Sequence, residues 1–240
     1  MRQLHVYDCA LTGVMPMRVI LATMLVVGGL AVALIVVVSA HADQETCPPV
    51  CDQIPNTAWI QQHTVPLDSV YKWPGLARSA VPLTGAGTAR FRFEDLCATA
   101  AVPQDARDSA VAARVTITHP DGQWHLQAEV LHWRGDTARG GPTAASVFSN
   151  AVAALRGCQQ RVPEESPSIT TDEPNRMAAV ISGPVIVHTY LLAHVASSTV
   201  SELTLWSSGP PQVSWPAMAD DPVLNAMTTP LCDAYIASCP

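Results

Sequence analysis

The chain has 240 residues, of which 48% are hydrophobic and 14% are charged, and its formal net charge is -7. This length indicates one domain, or at most two small ones. The acidic balance argues against nucleic acid or an anionic membrane surface as a partner, because both require clustered positive charge.

The first element is an uncharged apolar run from Val19 to Ala40. As a helix it would span roughly 33 Å, enough to cross a bilayer core of about 30 Å. We interpret it as a retained transmembrane signal-anchor. The alternative is a secreted protein cleaved after Ala42, since Ala40-His41-Ala42 has small residues where a signal peptidase requires them. The run is, however, longer than the usual core of a signal peptide.

Charge and cysteine usage indicate the same topology. Arg2 and Arg18 precede the apolar run, and no Lys or Arg follows it before Lys72. The positive-inside rule then places residues 1–18, including Cys9, in the cytoplasm and the rest outside. An even number of cysteines remains on the outer side, which indicates disulfides in an oxidising compartment. These disulfide candidates are Cys47, Cys51, Cys97, Cys158, Cys232 and Cys239.

Residues 43–89 are rich in proline and lack a clean periodicity. We predict an irregular segment with one or two short helical turns, which packs on the domain that follows. Its aromatic residues Trp59, Tyr71 and Trp73 are also a candidate patch for binding a protein partner.

Regular structure is predicted from residue 90 onward. Arg90–Phe93, Ala112–Thr118 and Gln123–Trp133 each alternate polar and apolar residues, as half-buried strands do. Asp121-Gly122 predicts a hairpin between the second and third of these strands. A helix is predicted over Thr143–Cys158, with Thr143 as its N-cap and one apolar stripe.

After a predicted loop at Arg161–Asn175, the pattern of strands followed by a helix recurs. The helix at Asp221–Ser238 is predicted to have Asp221 as N-cap, Pro222 in its first turn and a kink at Pro230. Together the elements predict an α+β domain over residues 90–240, with helices packed on one face of an antiparallel sheet. The predicted strands of this second part are Arg176–Ser182, Val185–Val195 and Thr199–Ser207.

The spacing of the cysteines restricts their pairing. In a continuous helix Cys232 and Cys239 would lie about 10.5 Å apart, which is too far for a disulfide. They can pair only if Pro230 breaks the helix or its C-terminal end frays. The preferred pairings are Cys97 with Cys158, and the closing helix with Cys47 and Cys51.

No catalytic residue, metal site or cofactor site is predicted. The chain contains no G-x-S-x-G, H-E-x-x-H or G-x-G-x-x-G motif. His125 and His132 differ by seven positions and so face opposite sides of one strand. His188 and His194 share a face but are roughly 20 Å apart along a strand. Neither pair can bind one metal ion within its strand, so the protein is predicted not to be an enzyme.

The order of elements resembles that of exported mycobacterial domains of the PknH extracellular-sensor type. The residues that carry this resemblance are Ala144–Cys158, Ala178–His194, Thr199–Trp206 and the helix that holds Cys232. In general layout the chain also resembles the single-pass accessory factor of trehalose monomycolate transport, TtfA. The first resemblance implies a sensor domain, and the second implies docking on a lipid exporter in the inner membrane.

We therefore expect a non-catalytic, membrane-anchored cell-envelope protein that acts by binding. The principal hypothesis is an accessory factor for an envelope lipid transport or assembly complex, with a membrane-protein partner. The alternative is an extracytoplasmic sensor, or a domain that binds a small ligand or a lipid. A deep apolar pocket would favour the ligand, whereas an exposed aromatic patch would favour the protein partner.

Overall fold

The computed structural model of this chain describes residues 52–235, 238 and 239. These residues form an α+β fold around one sheet of seven strands, in which all neighbouring strands are antiparallel. The strands are β1 (Val81–Leu83), β2 (Val111–Ile117), β3 (His125–His132), β4 (Ser166–Glu173), β5 (Arg176–Ser182), β6 (Ile186–His194) and β7 (Thr199–Ser207). Their order across the sheet is β1-β2-β3-β7-β6-β5-β4.

The hairpin between β2 and β3 is confirmed. Gln123 N donates to Pro120 O at 3.1 Å across the turn, and Gly122 has a φ of 76°, a conformation that glycine adopts without steric cost. The strands predicted at Arg176–Ser182 and Thr199–Ser207 have the same bounds in the structure as β5 and β7.

Strand β4 lies where the sequence predicted a loop. It forms the edge of the sheet beside β5, contains Pro167, and has an irregular register between Ile169 and Thr171. Edge strands tolerate proline and polar residues because one side of their backbone needs no partner strand. A polar edge strand of this kind carries no apolar alternation to mark it.

Helices cover both faces of the sheet, so the prediction of helices on one face is wrong. On one face, α4 and α3 pack over a core that includes Leu131, Phe148 and Leu191. On the other face, α6 and the segment before β1 pack over Leu126 and Leu203. The helices are α1 (Asp68–Tyr71), α2 (Leu76–Ser79), α3 (Arg92–Leu96), α4 (Thr137–Arg156), α5 (Cys158–Arg161) and α6 (Asp221–Ala234).

Helix α4 begins six residues before the predicted N-cap at Thr143. Asp136 is the N-cap instead, and its Oδ1 accepts from Ala138 N at 2.9 Å. The helix also includes Gly140 and Gly141, which precede the predicted start. A Cβ at Gly141 would lie 2.7 Å from the Val195 carbonyl oxygen, so glycine is required for the helix to approach the chain beneath it.

Two other predictions about local structure are wrong, one in the type of element and one in its boundaries. Arg90–Phe93 is not a strand: Phe91 caps the short helix α3, and its backbone N–H donates to Glu94 Oε2 at 2.9 Å. Helix α6 keeps Pro230 inside it and ends at Ala234, with Asp220 at the N-cap position. The closing helix is therefore shorter than the predicted Asp221–Ser238.

The segment before residue 90 belongs to the same core as the rest of the domain. As predicted, it contains short helical turns, but β1 also adds a strand to the sheet. Trp59 and Trp73 have exposed fractions of 3% and 1%, and Trp73 Nε1 donates to Pro66 O at 2.8 Å. The tryptophans therefore stabilise the fold from the α6 side of the sheet.

Cys97 and Cys158 form the predicted disulfide, with Cα atoms 4.7 Å apart. The second disulfide joins Cys232 to Cys239, so the predicted pairing of the closing helix with Cys47 and Cys51 is wrong for Cys232 and Cys239. Because α6 ends at Ala234, no continuous helix separates the two cysteines, and their Cα atoms lie 5.3 Å apart.

Among the described residues, no helix is long and apolar enough to span a bilayer. The predicted cytoplasmic segment 1–18, the signal-anchor at residues 19–40, and Cys47 and Cys51 lie outside the described part of the chain.

Removing the Cys97–Cys158 disulfide should be costly, because it closes a loop with a sequence separation of 61 residues. We expect the double variant Cys97→Ala/Cys158→Ala to lower the free energy of unfolding by roughly 4 kcal/mol, through the chain entropy of the unfolded state. Urea denaturation measures this change. The matched variant Cys232→Ala/Cys239→Ala opens a loop with a separation of seven and should lose only roughly 2 kcal/mol. A larger loss in the matched variant would contradict the expectation.

Candidate functional site

The centre of the sheet carries two buried carboxylates on the face that α4 covers. Glu129 of β3 and Glu202 of β7 lie directly opposite one another in the antiparallel register. Both side chains are fully buried, with exposed fractions of 0%. The alternation of polar and apolar residues in these strands therefore reflects a covered polar face, and not a face in contact with solvent.

Glu202 is surrounded by hydrogen-bond donors. Its Oε1 accepts from Arg92 N at 2.7 Å and from Thr204 Oγ1 at 3.0 Å, and its Oε2 accepts from Gln127 Nε2 at 3.1 Å. A buried carboxylate needs such donors to replace the water it has lost. The donor from Arg92 is a backbone group, so the position of α3 is tied to this glutamate.

Glu129 is paired with Arg114 of β2. Arg114 Nε donates to Glu129 Oε2 at 2.6 Å, and Arg114 Nη2 also donates to the backbone oxygens of Thr88 and Arg90 at 3.0 and 2.7 Å. Within the described part of the chain, Glu129 Oε1 has no hydrogen-bond partner. Arg114 thus connects the buried carboxylate to the segment that runs over it.

The two carboxylates compete for one cation. Burial raises the pKa of Glu129 to about 8, with Arg114 opposing and Glu202 reinforcing the shift. Burial also raises the pKa of Glu202 to about 7, against its hydrogen bonds from Gln127, Arg92 and Thr204. Since adjacent buried carboxylates do not both ionise readily, we infer that the pair holds one proton near neutral pH. Because Glu129 Oε1 accepts no hydrogen bond among the described residues, Glu129 loses fewer hydrogen bonds than Glu202 when its carboxylate is neutralised.

The β1–β2 connection, residues 84–110, is held by a second buried ion pair. Arg107 Nη1 lies 2.6 Å from Glu94 Oε2, and Arg107 Nη2 lies 2.6 Å from Asp105 Oδ2. Its guanidinium also sits over the ring of Phe91, 5.3 Å from the centroid. Burial alone would raise the pKa of Asp105, but the hydrogen bonds and charge of Arg107 hold it below its ordinary value.

A cleft of about 300 Å³ opens between α4 and this connection. We call it the α4 cleft. Its walls are fixed, since the Cys97–Cys158 disulfide joins the connection to α5 and Arg161 Nε donates to Cys97 O at 2.9 Å. The residues that line it include Glu94, Val102, Asp105, Arg107, Val147 and Asn150.

The surface of the α4 cleft is mainly apolar, with a slightly acidic group of polar side chains in one wall. Arg107 directs its Nε and both Nη atoms at Asp105 and Glu94, so its charge is already balanced and one negative charge remains. Exposed Asn150 adds an amide at the rim, while Val147 and Val102 add apolar surface. Such a lining suits a small, uncharged or cationic ligand that carries hydrogen-bond donors, at the small end of the usual range of ligand cavities.

The candidate patch of Trp59, Tyr71 and Trp73 is not exposed as a unit. Both tryptophans are buried, and only Tyr71 is partly accessible. Tyr71 stacks on Trp73 with ring centroids 4.9 Å apart, and its hydroxyl accepts from Trp124 N at 3.1 Å. The three residues therefore form a core contact and offer a partner little surface.

The structure separates the predicted histidine pairs as expected. His125 stacks on Trp206 on the α4 side of the sheet, and His132 stacks on Tyr235 on the α6 side. His188 stacks on Trp215, with ring centroids 3.6 Å apart, and burial lowers the pKa of His188 to about 4.

Sequence reasoning missed a cluster formed by His194, Cys232 and Cys239. One ligand atom from each residue lies within 4.8 Å of the other two. Spacing along one strand could not indicate this cluster, because His194 ends β6 while Cys232 and Cys239 lie in α6 and beyond it. Both sulfur atoms are joined in the disulfide, so they do not offer thiolate ligands to a metal in this state.

The polar residues at the centre of the sheet are visible in the sequence as an alternation of polar and apolar residues. That alternation predicted strands with one face in contact with solvent. Gln127 and Glu129 in β3, and Glu202 and Thr204 in β7, occupy alternate positions in strands flanked by apolar residues. These residues would be recognised as buried only if helices were expected on both faces of the sheet.

Comparison with known proteins gives no relative for this chain. No protein-family model matches it, and neither a curated protein nor a solved structure matches it.

The buried carboxylates should make stability depend on pH. A raised pKa means that the folded state keeps a proton that the unfolded state releases, so the carboxylate pair lowers the free energy of unfolding as the pH rises. The lowered pKa values of buried histidines such as His188 have the opposite effect below about pH 6.5. The fall should therefore be measured between about pH 6.5 and about pH 8. Glu129→Gln, a neutral analogue, should reduce this slope, as measured by urea denaturation across the range. The exposed control Glu173→Gln should keep the wild-type slope. An unchanged slope in Glu129→Gln would show that this glutamate does not hold the proton.

Proposed function

We propose that this chain is a non-catalytic, membrane-tethered envelope protein whose exported domain binds, in the α4 cleft, a small ligand with both apolar surface and hydrogen-bond donors. The observation that carries this proposal is the cleft itself, whose walls are fixed by a disulfide and by a buried arginine between two carboxylates. A site that is preformed loses little conformational entropy when a ligand binds.

The arrangement of acidic residues supports binding over catalysis. A general acid or base must come within hydrogen-bond distance of its substrate. Glu129 and Glu202 are fully buried beneath the β1–β2 connection, and each is engaged in hydrogen bonds that fix the fold. Glu94, which borders the cleft, is itself engaged by Arg107 and by the N–H of Phe91.

Two features support the exported setting. Disulfides such as Cys97–Cys158 and Cys232–Cys239 form and persist in oxidising compartments. The apolar run at residues 19–40 would tether the domain and raise its effective concentration near other envelope components.

The distribution of aromatic residues favours a ligand over the protein-partner hypothesis. The accessory-factor hypothesis placed a docking patch at Trp59, Tyr71 and Trp73, and both tryptophans are buried. By contrast, the α4 cleft combines fixed walls with carboxylate and amide groups at its surface. Docking on a membrane protein is therefore the second outcome that the experiment must distinguish.

The test is to purify the full-length protein from its native membranes in detergent, and to search for co-purified small molecules by native mass spectrometry. Asn150 is exposed and lines the cleft, so Asn150→Trp should fill the cleft and lower ligand occupancy by at least about tenfold. Because the side chain is at the surface, the melting temperature should change little.

The matched control is Ala153→Trp, an exposed position on the same helix that does not line the cleft. Its ligand occupancy should equal that of the wild type. Wild-type occupancy in Asn150→Trp would place the ligand outside the α4 cleft. Recovery of a stoichiometric membrane protein, with no small molecule, would replace the ligand proposal by the accessory-factor hypothesis.

A further inference from the structure

The disulfide at the end of α6 differs from the other disulfide in its exposure. Cys97 and Cys158 are fully buried, each with an exposed fraction of 0%. Cys232 and Cys239 are both partly exposed and close a much shorter loop, with a separation of seven instead of 61 residues. A short loop contributes less to stability, and exposure gives an external thiol access to the sulfur atoms.

A histidine faces this exposed disulfide. His194 Nε2, at the end of β6, lies 3.5 Å from Cys239 Sγ. The other ring nitrogen, Nδ1, is 2.7 Å from the hydroxyl of buried Ser197. The position of the ring is therefore fixed from the side opposite the sulfur.

Ser197 orients the ring of His194. Its hydroxyl oxygen lies 2.7 Å from His194 Nδ1 and 3.2 Å from the His194 carbonyl oxygen, so Nε2 faces Cys239 Sγ. When the ring proton is on Nε2, this N–H points at the sulfur, and it is the tautomer that can stabilise a thiolate. Burial lowers the pKa of His194, which keeps the imidazole neutral at pH 7.

We propose that Cys232–Cys239 is a redox-active disulfide that exchanges with an external dithiol, and that His194 is the positioning residue that stabilises the Cys239 thiolate. The buried Cys97–Cys158 disulfide has a structural role only. This function is separate from ligand binding in the α4 cleft and does not depend on it.

The exchange proceeds in two balanced steps. A thiolate of the dithiol attacks Cys232 Sγ, the Cys232–Cys239 bond breaks, and Cys239 leaves as a thiolate that accepts the His194 Nε2–H hydrogen bond. The second thiol of the dithiol then loses its proton and attacks its own first sulfur, so that Cys232 leaves as a thiolate. Two electrons pass from the dithiol, which becomes a disulfide, to the two cysteines. The two protons of the dithiol are released to water, and the Cys232 and Cys239 thiolates accept protons from water when they become thiols.

Cys239 is the better leaving group for a physical reason. Cys232 lies within the last turn of α6, where the negative end of the helix dipole disfavours an anion. Cys239 lies beyond the helix and faces His194 Nε2, which favours the thiolate when it carries the ring proton.

The test is to treat the full-length protein with limiting dithiothreitol, quench it with iodoacetamide at intervals, and measure each cysteine separately by peptide mass spectrometry. Cys232 and Cys239 should become alkylated at least about tenfold faster than Cys97 and Cys158. With glutathione, a monothiol, the mixed disulfide should form on Cys232 while Cys239 is alkylated.

Two variants of His194 isolate its role. His194→Gln keeps an N–H donor near the position of Nε2, and should react at close to the wild-type rate. His194→Asn is too short to reach the sulfur, and should slow reduction of Cys232–Cys239 by about fivefold to tenfold. The matched control His188→Asn removes another histidine of β6 and should leave the rate unchanged. In every variant, resistance of Cys97–Cys158 to reduction reports that the fold is intact.

Ser197→Ala provides a second test that retains the imidazole. It removes the group that orients the ring, and should slow reduction by a smaller factor than His194→Asn. Equal reduction rates for the two disulfides, a glutathione adduct on Cys239, or wild-type rates in both His194→Asn and Ser197→Ala would each overturn the proposal.

Discussion

The fold depends on how it accommodates two carboxylates at the centre of its sheet. Moving an ion of this kind out of water costs several kcal/mol, unless donors and a counter-charge replace the solvent. Glu202 and Glu129 receive these from Arg92 N, Gln127, Thr204 and Arg114. Since one donor is the backbone of α3 and Arg114 also binds backbone oxygens of the β1–β2 connection, that connection has to cover the sheet at one position.

The α4 cleft is a consequence of that placement. Once the β1–β2 connection is fixed over β3 and β7, its distal part stands beside α4, and the Arg107 ion pairs and the Cys97–Cys158 disulfide hold it there. An arginine balanced by two carboxylates gives the cleft a polar wall without an unpaired buried charge, which would be strongly destabilising. The ion pairs and hydrogen bonds that neutralise the buried charges therefore also hold the walls of the α4 cleft in place.

Local sequence signals predicted those parts of the fold that local physics determines. The Asp121-Gly122 turn, β5, β7 and the middle of α4 follow from turn chemistry and from apolar periodicity. The missed features depend on distant contacts: β4 is recognisable only as the edge of an existing sheet, and α4 passes through Gly140 and Gly141 because the chain near Val195 approaches closely. The buried Glu129–Glu202 pair could not be predicted for the same reason. Alternation in a strand does not distinguish a face exposed to water from a polar face covered by a helix.

Burial also explains why similar disulfides at the ends of two helices are suited to different roles. Cys158 directly follows α4 and Cys232 lies in the last turn of α6, so each disulfide fastens the C-terminal end of a helix that covers one face of the sheet. Around Cys97–Cys158 the core excludes an attacking thiolate, and the long loop makes the bond valuable to stability. Cys232–Cys239 is partly exposed and closes a short loop. The imidazole of His194 lies against one of its sulfur atoms. A partly exposed disulfide in a short loop contributes less to stability than the buried one, whereas its contact with His194 suits it to the proposed exchange.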